Sequence, residues 1–198
     1  MHINREKFFN QYKKEFGSIK TKEIVNNINT MLDSLEKFAH LFASEVFVEQ
    51  LAYVAATVHH ETGMRYSAFK ELRQVKTDNP ARLRVRRLQD RYWLTGYYGR
   101  GPVQLTWDYN YSWAEKATGA PLLKDPDLLL RNLALGYEVA VKGMVTGAFT
   151  GKSLNSYIAK DNIDFISARK VVNGRDRAVD IARYADKYVR IFQESIES

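Results

Sequence analysis

The sequence predicts a mostly α-helical fold in a single domain. Two observations carry this reading. Five apolar stripes recur at steps of three and four residues, and a length of 198 residues fits one domain or two lobes around a cleft. A chain this long buries a core without disulfides, metals or repeats. The first stripe, Phe8, Tyr12 and Phe16, stops at Gly17, a natural helix end. The second runs Ile24, Ile28, Met31, Leu35, Phe38 and Phe42, one face of an amphipathic helix. The third is Phe47, Leu51, Val54 and Val58, and its next position is Glu61. A fourth covers Leu130, Leu133, Tyr137, Val141 and Met144 and ends near Gly147. The last is Ala178, Ile181, Ala185, Tyr188 and Phe192. Between Gly63 and about Pro126 the pattern breaks. The stretch WLTGYYGRGPVQLTWDYNY is too rich in glycine and aromatics for a helix and reads as turns and short extended pieces. Loops on a helical scaffold are where binding and catalysis usually sit. Residues 1–198 thus read as one unit, with N-terminal helices in 1–45 packing on a core formed by 46–198.

Composition removes several function classes. Cysteine is absent, which excludes disulfide frameworks, thiolate zinc sites, iron–sulfur clusters and cysteine nucleophiles together. Lys and Arg number 30 against 23 Asp and Glu, giving +7 and a pI near 9.5. That balance favours anionic partners. The start, MHINREKFFNQYKKEF, lacks the apolar core of a signal peptide. The most apolar stretch, LLLRNLALGYEVAVKGMV, is broken by Arg131, Asn132, Glu138 and Lys142, so no membrane insertion is expected.

The sharpest local feature is HHETG, His59 to Gly63. Glu61 continues the buried stripe of its helix and lies in its last turn, before Gly63. Desolvation and the negative end of the helix dipole both disfavour a charged carboxylate there. That is the setting of a general acid, although a Glu swung outward or paired with an arginine fits the pattern equally. Glycoside hydrolysis needs a second carboxylate. Glu71 in SAFKELRQ is the nearest Glu downstream, and Asp78 and Asp90 compete with it.

Other chemistries fail on spacing. HHETG lacks the H-E-x-x-H order of a zinc helix, and adjacent His59 and His60 diverge, so no metal and no cofactor is expected. GYYGRG has the wrong glycine spacing for a dinucleotide site, and there is no G-x-S-x-G elbow. Arg82, Arg84, Arg86, Arg87 and Arg91 crowd together ahead of Tyr92, Trp93, Tyr97 and Tyr98. This suits single-stranded nucleic acid, a sugar-stacking cleft for an anionic polymer, or a solvated basic loop alike.

HHETG followed by YYGRGPVQLTWDYNY and then VVNG resembles glycoside hydrolase family 19, shared by plant chitinases and many phage endolysins. The opening INREKFF through VNNINTMLDSLE and the ending VVNGRDRAVDIARYADKY are similar to the phage-lysin branch. The resemblance implies a lysozyme-like, two-lobed helical domain with a central cleft, and inverting hydrolysis of β-1,4 linkages beside N-acetylated amino sugars. By motif position it implies Glu61 as general acid, Glu71 as the base activating water, and Thr106 as the hydroxyl holding that water. Gln104, Tyr109, Asn110 and Asn173 match sugar-contacting positions, and Tyr97 and Arg100 lie in the same motif, where they are expected to shape the cleft more than to touch the sugar. The chain departs from plant chitinases in its shorter, arginine-rich segment after Glu61. It has Arg175 in place of the second glycine of NGG, and Asp180 where plant enzymes carry an arginine.

Chitin and peptidoglycan share β-1,4-linked N-acetylglucosamine, so charge has to choose between them. Chitin is neutral, whereas bacterial walls carry anionic stem peptides. The expectation is a monomeric endolysin acting on peptidoglycan glycan strands, cutting between N-acetylmuramic acid and N-acetylglucosamine, with no nucleic-acid partner. It would be made in a host cytoplasm and released to the wall through a holin. A chitinase, a lytic transglycosylase and a non-enzymatic nucleic-acid-binding protein are the alternatives.

Overall fold

The computed structural model describes residues 1–75 and 78–197. α1 (Arg5–Phe16) is capped by the Asn4 side chain and ends at Gly17, whose φ of 87° is one that L side chains rarely adopt. α2 (Lys22–Lys37) starts on a Thr21 cap and stops before its apolar stripe does. Phe38 and Phe42 still reach the core, carried by a 3-10 turn at Ala39–Leu41.

α3 (Phe47–Glu61) is buried on every side, since each residue from Gln50 to His59 is buried. Such a helix must lie at the centre of the fold. Each of Leu51, Val54 and Val58, fully removed from water, contributes about 1.5–3 kcal/mol. Glu61 is the last residue of α3, as the stripe predicts.

The stretch from Gly63 to Pro126 is more ordered than its composition suggests. α4 (Pro80–Asp90) starts with Asn79 capping two backbone amides and with proline in its first turn. α5 (Asp108–Thr118) takes in DYNY, which the glycine-rich neighbourhood disguises as extended chain. Asn132 splits the fourth stripe. α6 (Leu128–Arg131) stops there, and the same Asn132 side chain caps α7 (Leu133–Thr146). α8 (Ala178–Ser195) closes the chain as predicted. Two antiparallel pairings are each two residues long: His2–Ile3 with Ile196–Glu197, and Ile158–Ala159 with Asn162–Ile163.

The helices enclose two apolar cores. The larger joins α1, α2, α3 and α8, and α1 and α8 pack directly on each other. The smaller holds Leu105, Tyr111, Ala114, Leu122 and Leu129. α7 belongs to both. Tyr137, Val141 and Met144 enter the large core, while Leu135 and Val139 enter the small one. Gly136 lets the GRGP segment dock on this shared wall, because a Cβ there would stand 2.6 Å from Pro102.

A buried polar knot fixes the end of α3. The Tyr66 hydroxyl lies 2.8 Å from His59 Nδ1 and 2.9 Å from the Tyr12 hydroxyl, and it also contacts Tyr188. Tyr188 in turn lies 3.1 Å from the same His59 nitrogen. Burial pushes His59 down to about 4, with smaller contributions from His60 and Lys187. Burial likewise raises the Tyr66 and Tyr188 hydroxyls well above the usual tyrosine value. His59 is therefore a structural neutral imidazole.

This generates a stability prediction. Between the ordinary histidine value of about 6.5 and the folded value of about 4, only the unfolded chain takes up this proton, so acid favours unfolding. His59 should cost up to about 1.4 kcal/mol of stability per pH unit across that window. In urea titrations, His59→Asn, which keeps a hydrogen-bonding group without the titration, should flatten the dependence. An unchanged slope would contradict the assignment.

Candidate active site

The two lobes leave a cleft of about 360 Å³, and both Glu61 and Glu71 line it. They reach it by different means. Glu61 stands at the C-terminal end of the buried α3, so its backbone is positioned by the core itself. Its Oε1 accepts a hydrogen bond from Arg169 Nη1 at 2.6 Å. Arg169 is buried in a 3-10 turn at Ser167–Val171, and its Nε donates to the Asp176 carbonyl at 3.0 Å. No described residue bonds to Glu61 Oε2.

Of the settings the stripe left open for Glu61, the structure shows the one paired with an arginine. The partner, Arg169, brings a full positive charge 2.6 Å away from 108 residues downstream. Removing one partner of such a pair leaves a buried charge uncompensated.

Glu71 has no helix behind it. A short backbone ladder holds it, with Lys70 bridging Arg100 and Arg100 bridging Leu105, and the Glu71 amide donating to the Gly99 carbonyl at 2.8 Å. Three donors then converge on its carboxyl. Gln89 Nε2 at 2.8 Å and the Tyr92 hydroxyl at 2.7 Å reach Oε1, and the Gly99 amide reaches Oε2 at 2.9 Å. A carboxylate offers about four acceptor positions, so one remains for a water. Burial, the hydrogen bond to Glu71 and the charge of Glu71 all hold the Tyr92 phenol above its usual value. Gln89 is the one buried residue of α4, and it also accepts from the Gln74 amide at 2.8 Å, so α4 is fastened to the Glu71 segment.

The remaining candidates divide. Thr106 lines the cleft and donates its hydroxyl proton to the Gln104 carbonyl at 2.9 Å, leaving its lone pairs free. Tyr109 is 60% exposed and stacks on Trp107, with both rings lining the cleft. Asn110 and Asn173 also line it, although Asn110 Nδ2 donates to the Thr106 carbonyl at 2.8 Å. Gln104 lines it while its amide nitrogen donates to the carbonyls of Phe69 and Gly101, which makes it partly a structural tie. Gln104 and Trp107 both hold left-handed backbone, with φ of 52° and 77°. Strain of this kind gathers at functional sites.

Tyr97 and Arg100 do not line the cleft and support it from behind. Tyr97 donates to the Leu123 carbonyl at 3.0 Å and packs on Tyr111. Arg100 is 3% exposed, paired with Asp127 at 2.5 Å, and bonded to the carbonyls of Gly96 and Tyr98. Its burial follows from its place in the middle of the ladder. Asp90 pairs with Arg73 at 2.6 Å, and neither Asp78 nor Asp90 lines the cleft. Sequence reasoning missed Arg169 and Gln89, and named Tyr92 only within the aromatic run that follows the arginines. Their only signals were an arginine just before VVNG and a glutamine among arginines. Among the described residues no group of three metal-ligating side chains assembles, and no helix is long and apolar enough to cross a membrane.

Residues 49–159 match the family described as chitinase class I. An endochitinase of Arabidopsis thaliana is 53% identical over 45 residues, which is 23% of this chain and 16% of that protein. The match therefore spans about a sixth of that relative's length. Chitinase C from Streptomyces griseus superposes with a TM-score of 0.63 at 21% identity, over 96% of this chain and 78% of that one. A bacterial family 19 chitinase gives 0.60 at 24%, over 93% and 92%. These superpositions establish the lysozyme-like helical fold.

The geometry makes one position unusually sensitive. A Cβ at Gly99 would lie 2.7 Å from Gln104 Oε1 and 3.2 Å from both Glu71 Cβ and Oε2. Gly99→Ala should displace the Glu71 carboxyl and lower kcat by about a hundredfold. The thermal midpoint should move by only about 2–4 °C for each kcal/mol lost in a chain of this length. Wild-type kcat in this variant would show that Glu71 is not part of the reacting centre.

Proposed function

The chain belongs to glycoside hydrolase family 19, described as chitinase class I, and we propose that it hydrolyses the β-1,4 bond of peptidoglycan between N-acetylmuramic acid and N-acetylglucosamine, with inversion of configuration at the anomeric carbon. One observation supports the hydrolytic part of this reading: two glutamates held in opposite ways line one cleft. Glu61 keeps Oε1 on Arg169 and delivers a proton from Oε2 to the leaving glycosidic oxygen. Glu71, surrounded by donors, accepts a proton from the attacking water through its remaining lone pair. Thr106 accepts a hydrogen bond from the same water, because its own proton is held by Gln104. As the glycosidic bond breaks, the water adds to the anomeric carbon from the opposite face, and configuration inverts.

The substrate follows from charge. With +7 on the chain and exposed arginines beside the cleft, an anionic glycan is a better electrostatic partner than neutral chitin. Chitin hydrolysis is the second reading, favoured by the names of the Arabidopsis and Streptomyces relatives.

Mass spectrometry of fragments from purified peptidoglycan tests the first reading. N-acetylmuramic acid at the new reducing ends, with the inverted anomer seen first by NMR, is expected. A 1,6-anhydro product or chitin-only activity would overturn it. Glu61→Gln should lower the rate by about a hundredfold to ten-thousandfold with the fold intact, and Glu71→Gln comparably. Arg169→Gln should lower kcat more than it raises KM, with partial rescue in Arg169→Lys. A well-folded Glu61→Gln protein that clears peptidoglycan normally would remove Glu61 from the acid role.

A further inference from the structure

α4 carries a feature the catalytic reading leaves unused. Arg84, Arg87, Leu88 and Arg91 follow the spacing i, i+3, i+4, i+7, so they share one helix face. The three arginines are exposed, and none makes an ion pair or side-chain hydrogen bond with any described residue. The face they occupy is opposite Gln89, the buried residue that fastens α4 to Glu71. The row is nevertheless continuous with the cleft. Leu88 lines it, and the Arg91 guanidinium lies 5.5 Å over the ring of Trp107, whose stacked neighbour Tyr109 lines it too.

The arrangement opposes helix stability. Arg84 with Arg87 and Arg87 with Arg91 are like-charge neighbours at i,i+3 and i,i+4, which repel. The one acid of α4, Asp90, is engaged by Arg73 and relieves none of them. An unneutralised cationic row on the rim of a glycan cleft matches anionic groups that project from the glycan.

Resting on the peptidoglycan reading above, we propose that Arg84, Arg87 and Arg91 form a rim subsite for the carboxylates of stem peptides on the strand being cut. The row spans about 10 Å along the helix. A stem peptide of three to five residues reaches about 10–17 Å, enough to run from the cleft mouth along it. The sugars lie in the cleft, the peptides leave it over α4, and the arginines select peptide-bearing strands over bare ones.

The test compares soluble peptidoglycan strands with the same strands stripped of peptides by an amidase. The double variant Arg84→Gln/Arg87→Gln leaves Arg91 and its contact with Trp107 in place. Its kcat/KM ratio of peptide-bearing to stripped strands should fall about three- to tenfold below wild type, through KM, as two exposed charge contacts would give. High salt should lower the wild-type ratio in the same way. Charge reversal to Glu at both positions should lower it further, with thermal unfolding confirming the fold in each variant. An unchanged ratio, or equal losses on both strands as a general anionic surface would give, overturns the subsite. In those cases cleavage of peptidoglycan by wild type still stands. A wild type that cuts chitin oligosaccharides and neither strand overturns the proposed function, and the subsite with it.

Discussion

The burial of α3 on all sides is the constraint on which the site depends. A helix with no solvent face cannot slide or rotate without emptying the larger core, so its last residue is fixed with the precision of close packing. Glu61 is that residue, and it meets the cleft where the helix leaves the core. The knot of His59, Tyr66, Tyr12 and Tyr188 adds direction to the packing, because each hydroxyl must meet a partner once buried. The turn after Glu61 inherits that order. Tyr66 holds a left-handed φ of 53°, and its carbonyl accepts from the Tyr137 hydroxyl on α7 at 2.5 Å.

The other half of the site is organised by polar contacts rather than by packing. Glu71 sits on a three-segment ladder and accepts from three donors supplied by α4, Tyr92 and the Gly99 amide. This explains the unusual composition of the stretch from Tyr97 to Trp107. Gly99 is required because Gln104 and Glu71 close over it, and Pro102 docks on Gly136 of α7. Buried Arg100 ties the ladder to Asp127 and to two loop carbonyls. A segment rich in glycine and aromatics is therefore a rigid support here. Its rigidity comes from backbone hydrogen bonds that no hydrophobic periodicity announces.

The same division explains what could be read from sequence. α1, α3 and α8 show themselves because each buries a stripe, and Glu61 stood out as a charge where an apolar residue belonged. α4 buries only Gln89 and α5 starts inside the glycine-rich motif, so neither gave a periodic signal. Thr106, Tyr109, Asn110 and Asn173 were legible through motif resemblance and do line the cleft. Tyr97 and Arg100 share that motif but face into the fold, since a motif preserves the support of a site along with its contacts. Arg169 was invisible because a pair formed across 108 residues leaves no local trace.

Substrate choice has to be argued from the rim, because the fold is common to proteins with different substrates. Superposition at 21–24% identity fixes the course of the helices and is silent on what fills the cleft. Glu61 and Glu71 are equally silent, since both candidate polymers would present the same type of bond to them. What distinguishes the polymers is what hangs from the sugars: nothing ionised on chitin, carboxylates on peptidoglycan. The sequence segment that differs most from plant chitinases is the arginine-rich one. In the structure its helix is fastened to the Glu71 segment by buried Gln89 and by the Asp90–Arg73 pair, while exposed Arg84, Arg87 and Arg91 have no ion-pair partner among the described residues. A helix needed only to hold Glu71 would have no use for unneutralised arginines on its far face, where mutual repulsion weakens it. The charge therefore points to a ligand outside the cleft, and on the proposed function an ionised substituent on the substrate itself is the nearest candidate.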